Sequence, residues 1–70
     1  MSSIHTVADA VRAEMARRRK TQADAAAVLE MSQAAISRRL MGEVDFTVTE
    51  INALATWLEL PVADLMAGAA

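Results

Sequence analysis

Three signals for the start of a helix lie close together in this 70-residue chain and restrict it to short helices. Thr21 and Asp24 have the spacing of a capping box, in which each side chain bonds to the other residue's backbone N–H, and Thr47 repeats this spacing with Glu50. Ser32 is a third favourable N-cap. Sixteen residues are alanine, the strongest helix former, and only two glycines and one proline interrupt the chain. The sequence therefore predicts a single all-α domain.

Apolar side chains recur at three- and four-residue spacing, which together with the caps predicts five helices. The first is expected to start after Ser3 as N-cap, Gly42 to follow the third, and Pro61 to open the last. Only residues 30–32 separate the second and third helices, so this pair is expected to form a helix-turn-helix. The predicted helices cover residues 4–19, 22–29, 33–41, 48–58 and 62–66.

The third predicted helix has an unusual outer surface. At about 100° per residue, Ile36 and Leu40 fall together and are expected to face the core. The other side carries small and polar side chains. In a DNA major groove, glutamine can bond to adenine, arginine to guanine, and an alanine methyl group can touch that of thymine. The predicted base-reading residues are Gln33, Ala34, Ser37 and Arg38.

Contacts to the DNA backbone are expected around the starts of the second and third helices, because helix N-termini offer unpaired N–H groups to phosphate. The alternative for the cationic run 17–20 is that it only complements the dipole at the end of the first helix. For the arginine pair 38–39 the alternative is solvated charge, and which of the two faces a groove stays open. The predicted backbone-contacting residues are Arg17, Arg18, Arg19, Lys20, Thr21, Gln22, Ser32 and Arg39.

The charges of the chain are segregated. Residues 1–41 hold seven cations and four anions, a formal charge of +3, whereas residues 42–70 hold five anions and no cation. The overall charge of −2 is therefore weak evidence against nucleic acid, because a basic face can still be turned toward phosphate.

Several classes of protein are disfavoured by composition. Cysteine is absent, and the single histidine, His5, has no partner for a metal site. No nucleophile–base pair or glycine-rich loop can be proposed, so we expect no enzymatic activity, no cofactor and no small-molecule ligand. Asp9 and Arg12 interrupt the apolar stretch that a signal peptide needs, and no run approaches the roughly 18 apolar residues of a spanning helix. We expect a cytoplasmic protein with no membrane partner.

Residues 21–42, reading TQADAAAVLEMSQAAISRRLMG, resemble the Cro/repressor (XRE, lambda-repressor-like) helix-turn-helix family of phages and bacteria. The tail INALATWLELPVADLM is similar to the family's fourth and fifth helices, and the resemblance covers about residues 6–66. It implies a compact five-helix domain. It also implies that Gln22 contacts phosphate, Gln33 reads a base, Ala26 is the small residue between helices, and Ile36 is a buried anchor.

The sequence departs from that family at two positions. The family often has glycine where Glu30 stands, and since a non-glycine residue at positive φ has an energetic cost, a slightly altered turn is expected. Arg39 stands where many members have an apolar residue, with Leu40 one position later. This shift leaves the rotation of the third helix open by up to one residue.

These observations predict a transcriptional regulator that binds a specific double-stranded DNA operator, as a homodimer on a palindromic site. Helices four and five would form the dimer interface, although Trp57 can instead complete the core. The alternative function is a protein-interaction module whose acidic C-terminal half binds a partner such as an antirepressor or a toxin. Whether the chain is complete or a DNA-binding fragment stays open. The predicted interface residues are Trp57, Val62, Leu65 and Met66.

Overall fold

The computed structural model describes residues 7–66, so the predicted cap Ser3, the helix start at Ile4, and His5 lie outside the described residues. Within residues 7–66 the chain is all-α, as predicted, with no strand. No helix in this range is long and apolar enough to cross a lipid bilayer. The helices are α1 (Val7–Arg17), α2 (Gln22–Leu29), α3 (Gln33–Leu40), α4 (Val48–Leu58) and α5 (Val62–Met66).

The N-caps of α2, α3 and α4 are those that the sequence predicts. In the capping box of α2, the Thr21 hydroxyl accepts from the Asp24 N–H at 3.1 Å and the Asp24 carboxylate accepts from the Thr21 N–H at 2.9 Å. The corresponding distances between Thr47 and Glu50 at α4 are 3.1 and 3.0 Å. The Ser32 hydroxyl caps α3 by accepting from the Ala35 N–H at 3.1 Å. These bonds satisfy N–H groups that would otherwise lack an intrahelical partner.

Two helices end earlier than predicted. α1 stops at Arg17 rather than Arg19, because Arg19 adopts a left-handed conformation with φ 56° that breaks the helical repeat. α3 stops at Leu40, and Met41 becomes its C-cap. Deviations of one or two residues are the usual uncertainty of a helix end. They leave the turn between α2 and α3 as predicted.

Four helices end in the same kind of turn, a Schellman motif, in which an N–H bonds to the carbonyl five residues back. The left-handed residue of this motif is Gly42 (φ 83°) after α3, but Arg19, Glu30 (φ 55°) and Glu59 (φ 58°) after the other three. The expected alteration of the turn at Glu30 is therefore wrong, since Glu30 adopts the conformation that glycine would adopt. The closing bonds measure 2.9–3.0 Å and run from Lys20 to Met15, Met31 to Ala26, Glu43 to Arg38 and Leu60 to Ala55.

The core is formed by one apolar stripe from each helix. Ala25 and Ala26 are buried and let α2 pack closely against both α3 and α4, as the family resemblance implies for Ala26. From α3, Ile36 and Leu40 enter the core. The largest side chains with almost no exposure are Val11, Ile36, Leu54, Leu58 and Leu65. Because α3 is fixed through one side only, its other side is left at the surface.

Candidate nucleic-acid interface

The surface of α3 carries the side chains that the sequence places there. Gln33, Ala34 and Arg38 are exposed, and Ser37 is half-buried with its hydroxyl 3.8 Å from the sulfur of Met41. Ile36 and Leu40 are buried on the opposite side and fix this orientation. Gln33 and Ala34 are the first two residues of the helix, the part from which a helix-turn-helix mainly contacts bases.

The two neighbouring arginines of α3 point to different surroundings. The side chain of Arg38 is exposed and forms no hydrogen bond or ion pair with any other residue in the range 7–66. The Arg39 Nε lies 3.0 Å from the Glu50 Oε1, and its Nη1 lies 3.2 Å from the Ala35 carbonyl oxygen. Only 19% of the Arg39 side chain is exposed. The rotation left open by the sequence is thus settled in this structure, with Arg38 on the outer side of α3.

The beginnings of α2 and α3 both lie at the surface. Thr21, Gln22 and Ser32 are exposed, and the two cap hydroxyls each occupy one backbone N–H of the following turn. The remaining N–H groups at each start point away from the helix and stay suited to an anion. Gln22 stands at the first position of α2, next to these groups. The sequence prediction that both helix starts offer donors to phosphate fits this arrangement.

The cationic run at the end of α1 is partly neutralised by Glu14. Arg17 Nη1 lies 3.1 Å and Arg18 Nη1 2.6 Å from the two oxygens of its carboxylate, and Arg18 also bonds to the Glu14 carbonyl oxygen. The hydrogen bond from Arg18 holds the pKa of Glu14 below its ordinary value against an opposing effect of burial, and the charges of Arg17 and Arg18 add to the lowering. The Arg17 side chain is still largely exposed, so it stays accessible to a ligand from solvent.

The other two cations of the run differ from each other. The Lys20 Nζ lies over the ring of Trp57, 5.5 Å from its centroid, which is within the range of a cation–π interaction. Arg19 is exposed and has no ion pair within the described part of the chain. Of the seven cations, Arg19 and Arg38 are therefore the two that form no ion pair or ring contact with residues 7–66.

The residues predicted for a dimer interface are not all at the surface. Val62 and Met66 are 37% and 42% exposed, and Trp57 is half-buried beneath Lys20. Leu65 is fully buried in the core, so it has no surface to offer a second chain and we remove it from the candidate interface. In a helix of five residues only about one side chain can face inward, and here that side chain is Leu65.

An apolar groove of about 400 Å³ lies between the start of α1, the α3–α4 loop and α5, and the sequence did not predict it. Its lining includes Val7, Val44, Phe46, Val48 and Met66, and Val48 is 76% exposed. The sequence does contain a sign of this groove, because Val44 and Phe46 are apolar residues in a short loop and Val48 is an apolar residue at the first position of α4. Among the described residues no cluster of histidine and carboxylate side chains could hold a metal ion.

Comparison with known proteins adds one finding. The BetR domain family matches this sequence over residues 2–70. No curated protein and no solved structure matches significantly. The family match supports a small helical domain of the regulatory type, whereas the finer resemblance to Cro and XRE repressors stays a prediction. Because the match extends over nearly the whole sequence, the chain belongs to the BetR domain family.

Proposed function

We propose that this domain binds double-stranded DNA sequence-specifically and regulates transcription, with α3 lying in the major groove. The observation that carries the proposal is the exposed surface of α3, where an unpaired Arg38 lies one turn from Ala34 and Gln33 is exposed at the start of the helix. This surface contains no acidic side chain. Long polar donors next to a small residue are what a groove-reading helix needs, because its backbone must come close to the base edges.

Each residue of this surface has a distinct task in the proposal. Arg38 donates to O6 and N7 of a guanine, and Gln33 bonds to N6 and N7 of an adenine, each pair contributing about 1–3 kcal/mol of discrimination. Ala34 contacts a thymine methyl group, and Ser37, half-buried, serves at the edge of the contact. Arg19, Thr21, Gln22 and Ser32 with the N–H groups at the starts of α2 and α3 position the domain on phosphate.

Two copies are proposed to bind together on a palindromic operator, since two half-sites increase the affinity of so small a domain. Trp57, Val62 and Met66 are the residues available for this contact at the surface. A partner-binding module is the second candidate function. It is favoured by the groove that contains the strongly exposed Val48, a surface that DNA binding does not use.

The test is selection of bound sequences from a random duplex pool, followed by fluorescence anisotropy on the selected duplex. Arg38→Gln is expected to weaken binding to it by roughly 5- to 150-fold and to relax the preference at one base pair, with Gln33→Ala relaxing another. Arg12→Gln is the matched control, because Arg12 is an exposed cation on α1, paired with Asp9. An unenriched pool would refute sequence-specific binding.

A further inference from the structure

We propose that Arg39 is a positioning residue, which fixes the rotation of α3 through Glu50 and so directs Arg38 toward the DNA. This inference rests on the proposed function. It assigns to Arg39 a role different from the phosphate contact that the sequence predicts. The assignment follows from three features of its surroundings: the two bonds of its guanidinium group, the anchoring of Glu50, and the narrow attachment of α3 to the core.

The guanidinium group of Arg39 is held at two points. Its Nη1 donates to the Ala35 carbonyl oxygen at 3.2 Å, one turn earlier in α3, and its Nε donates to the Glu50 Oε1 at 3.0 Å. The first bond fixes the side chain along its own helix, and the second connects that helix to α4. With four-fifths of the side chain covered, the pair is less screened by solvent than an ordinary surface ion pair.

Glu50 is itself anchored to the backbone of α4. The oxygen that accepts from Arg39 also accepts from the Thr47 N–H at 3.0 Å, and the Glu50 N–H donates to the Thr47 hydroxyl at 3.1 Å. The capping box therefore fixes the Glu50 carboxylate independently of Arg39. Arg39 thus binds a rigid point at the start of α4, and not a mobile surface side chain.

The attachment of α3 to the core explains why such a bond matters. α3 has eight residues, and its two buried residues, Ile36 and Leu40, lie one turn apart along a single line. With Ile36 and Leu40 buried, α3 cannot turn by the roughly 100° that would exchange neighbouring residues, but a helix held along one line can still turn about that line through a smaller angle. A bond from Arg39 to Glu50, which lies to one side of that line, opposes this smaller turn and so keeps the exposed Arg38 in its direction.

The geometry also indicates which substitutions are informative. Glu50→Gln keeps an oxygen that can accept from the Thr47 N–H, so the cap is retained while the charge that attracts Arg39 is lost. Exchanging the two residues is uninformative, because an arginine at position 50 has no acceptor for that N–H. Arg39→Gln removes the cation at the other end. Arg19→Gln is the matched control, because it removes an exposed arginine that is proposed to contact phosphate directly.

The experiment measures binding of the full chain to the selected duplex and to a scrambled duplex over a range of salt concentrations. Arg39→Gln and Glu50→Gln are both expected to reduce the ratio of specific to non-specific affinity about tenfold and to leave the salt dependence unchanged. Arg19→Gln is expected to weaken both duplexes alike and to lower the slope of log K against log salt by about 0.9. If Arg39→Gln behaves like Arg19→Gln, Arg39 is a phosphate ligand and the proposal is wrong.

A second measurement separates this proposal from the proposed function, because it uses the free protein. In ¹H–¹⁵N spectra of the arginine side chains, Glu50→Gln is expected to shift the Arg39 Nε–H resonance and leave that of Arg38 in place. An unshifted Arg39 resonance would refute the contact itself. A wild-type protein that selects no sequence would refute the proposed function, whereas selective binding unaffected by Glu50→Gln would refute the positioning role alone.

Discussion

α2 and α4 are capped by the same local motifs at both ends, but the acidic residue of the capping box differs between them. Each begins with a threonine cap and an acidic residue three positions later, and each ends in a glutamate with left-handed backbone. Asp24 in α2 is exposed and bonds within its own cap. Glu50 in α4 also accepts from Arg39 of another helix, and only 17% of its side chain is exposed. Glutamate is longer than aspartate by one methylene group. The shorter Asp24 bonds only within its own helix cap, whereas the longer Glu50 also connects two helices.

The largest expected effect comes from removing that connection. Glu50→Ala deletes a capping acceptor and leaves Arg39 without its partner, so we expect the free energy of unfolding to fall by about 2 kcal/mol. Asp24→Ala removes only the carboxylate that accepts from the Thr21 N–H and is expected to have a smaller effect. Urea unfolding followed by circular dichroism measures both. Equal losses would mean that the bond to Arg39 contributes nothing to stability.

A smaller effect, an increase in the free energy of unfolding, is expected from substitutions at the C-terminal ends of α2 and α4. Glu30→Gly and Glu59→Gly place glycine where φ is 55° and 58°, which relieves the strain of a side chain in the left-handed region. Part of the gain is lost to the greater freedom of glycine in the unfolded chain, so each is expected to stabilise by about 0.5 kcal/mol. Glu30→Ala and Glu59→Ala are the controls, since alanine retains the Cβ atom and should give no gain in thermal unfolding.

The smallest expected effect is on the loss of stability at low pH. The hydrogen bond from the Thr21 backbone lowers the pKa of Asp24, and that from its hydroxyl adds to the lowering. A lowered pKa in the folded state stabilises the protein at pH values above the ordinary pKa of about 4, and this contribution is lost as the pH falls through the lower, folded value. Asp24→Asn should therefore flatten the decrease of Tm between about pH 5 and pH 2. A profile parallel to that of the wild type would contradict this assignment.

The sequence predicts what depends on neighbours in the chain. The capping boxes at Thr21 and Thr47 and the burial of Ile36 follow from spacing within one helix, and the structure confirms them. The start of α4 was likewise predicted at its observed residue. Local hydrogen bonds and helical periodicity suffice for these features.

Contacts between helices were not predictable in the same way. Arg39 and Glu50 are 11 positions apart, and Lys20 and Trp57 are 37 apart, so both contacts depend on how helices cross. Periodicity states which side of a helix is apolar but not which neighbour a long polar side chain reaches. Leu65 shows the same limit, because an apolar residue in a five-residue helix can face the core or a partner equally well by sequence.

The position of Lys20 over Trp57 has a spectroscopic consequence. Trp57 is the only tryptophan of the chain, and the ammonium group of Lys20, 5.5 Å from its ring centroid, is one of the cations that the sequence predicts to contact the DNA backbone. One ammonium group cannot lie over the indole and on a distant phosphate at the same time. The intrinsic fluorescence of the protein is therefore a label-free reporter of the segment between α1 and α2, and it originates in α4, away from the surface of α3 that is proposed to read the bases.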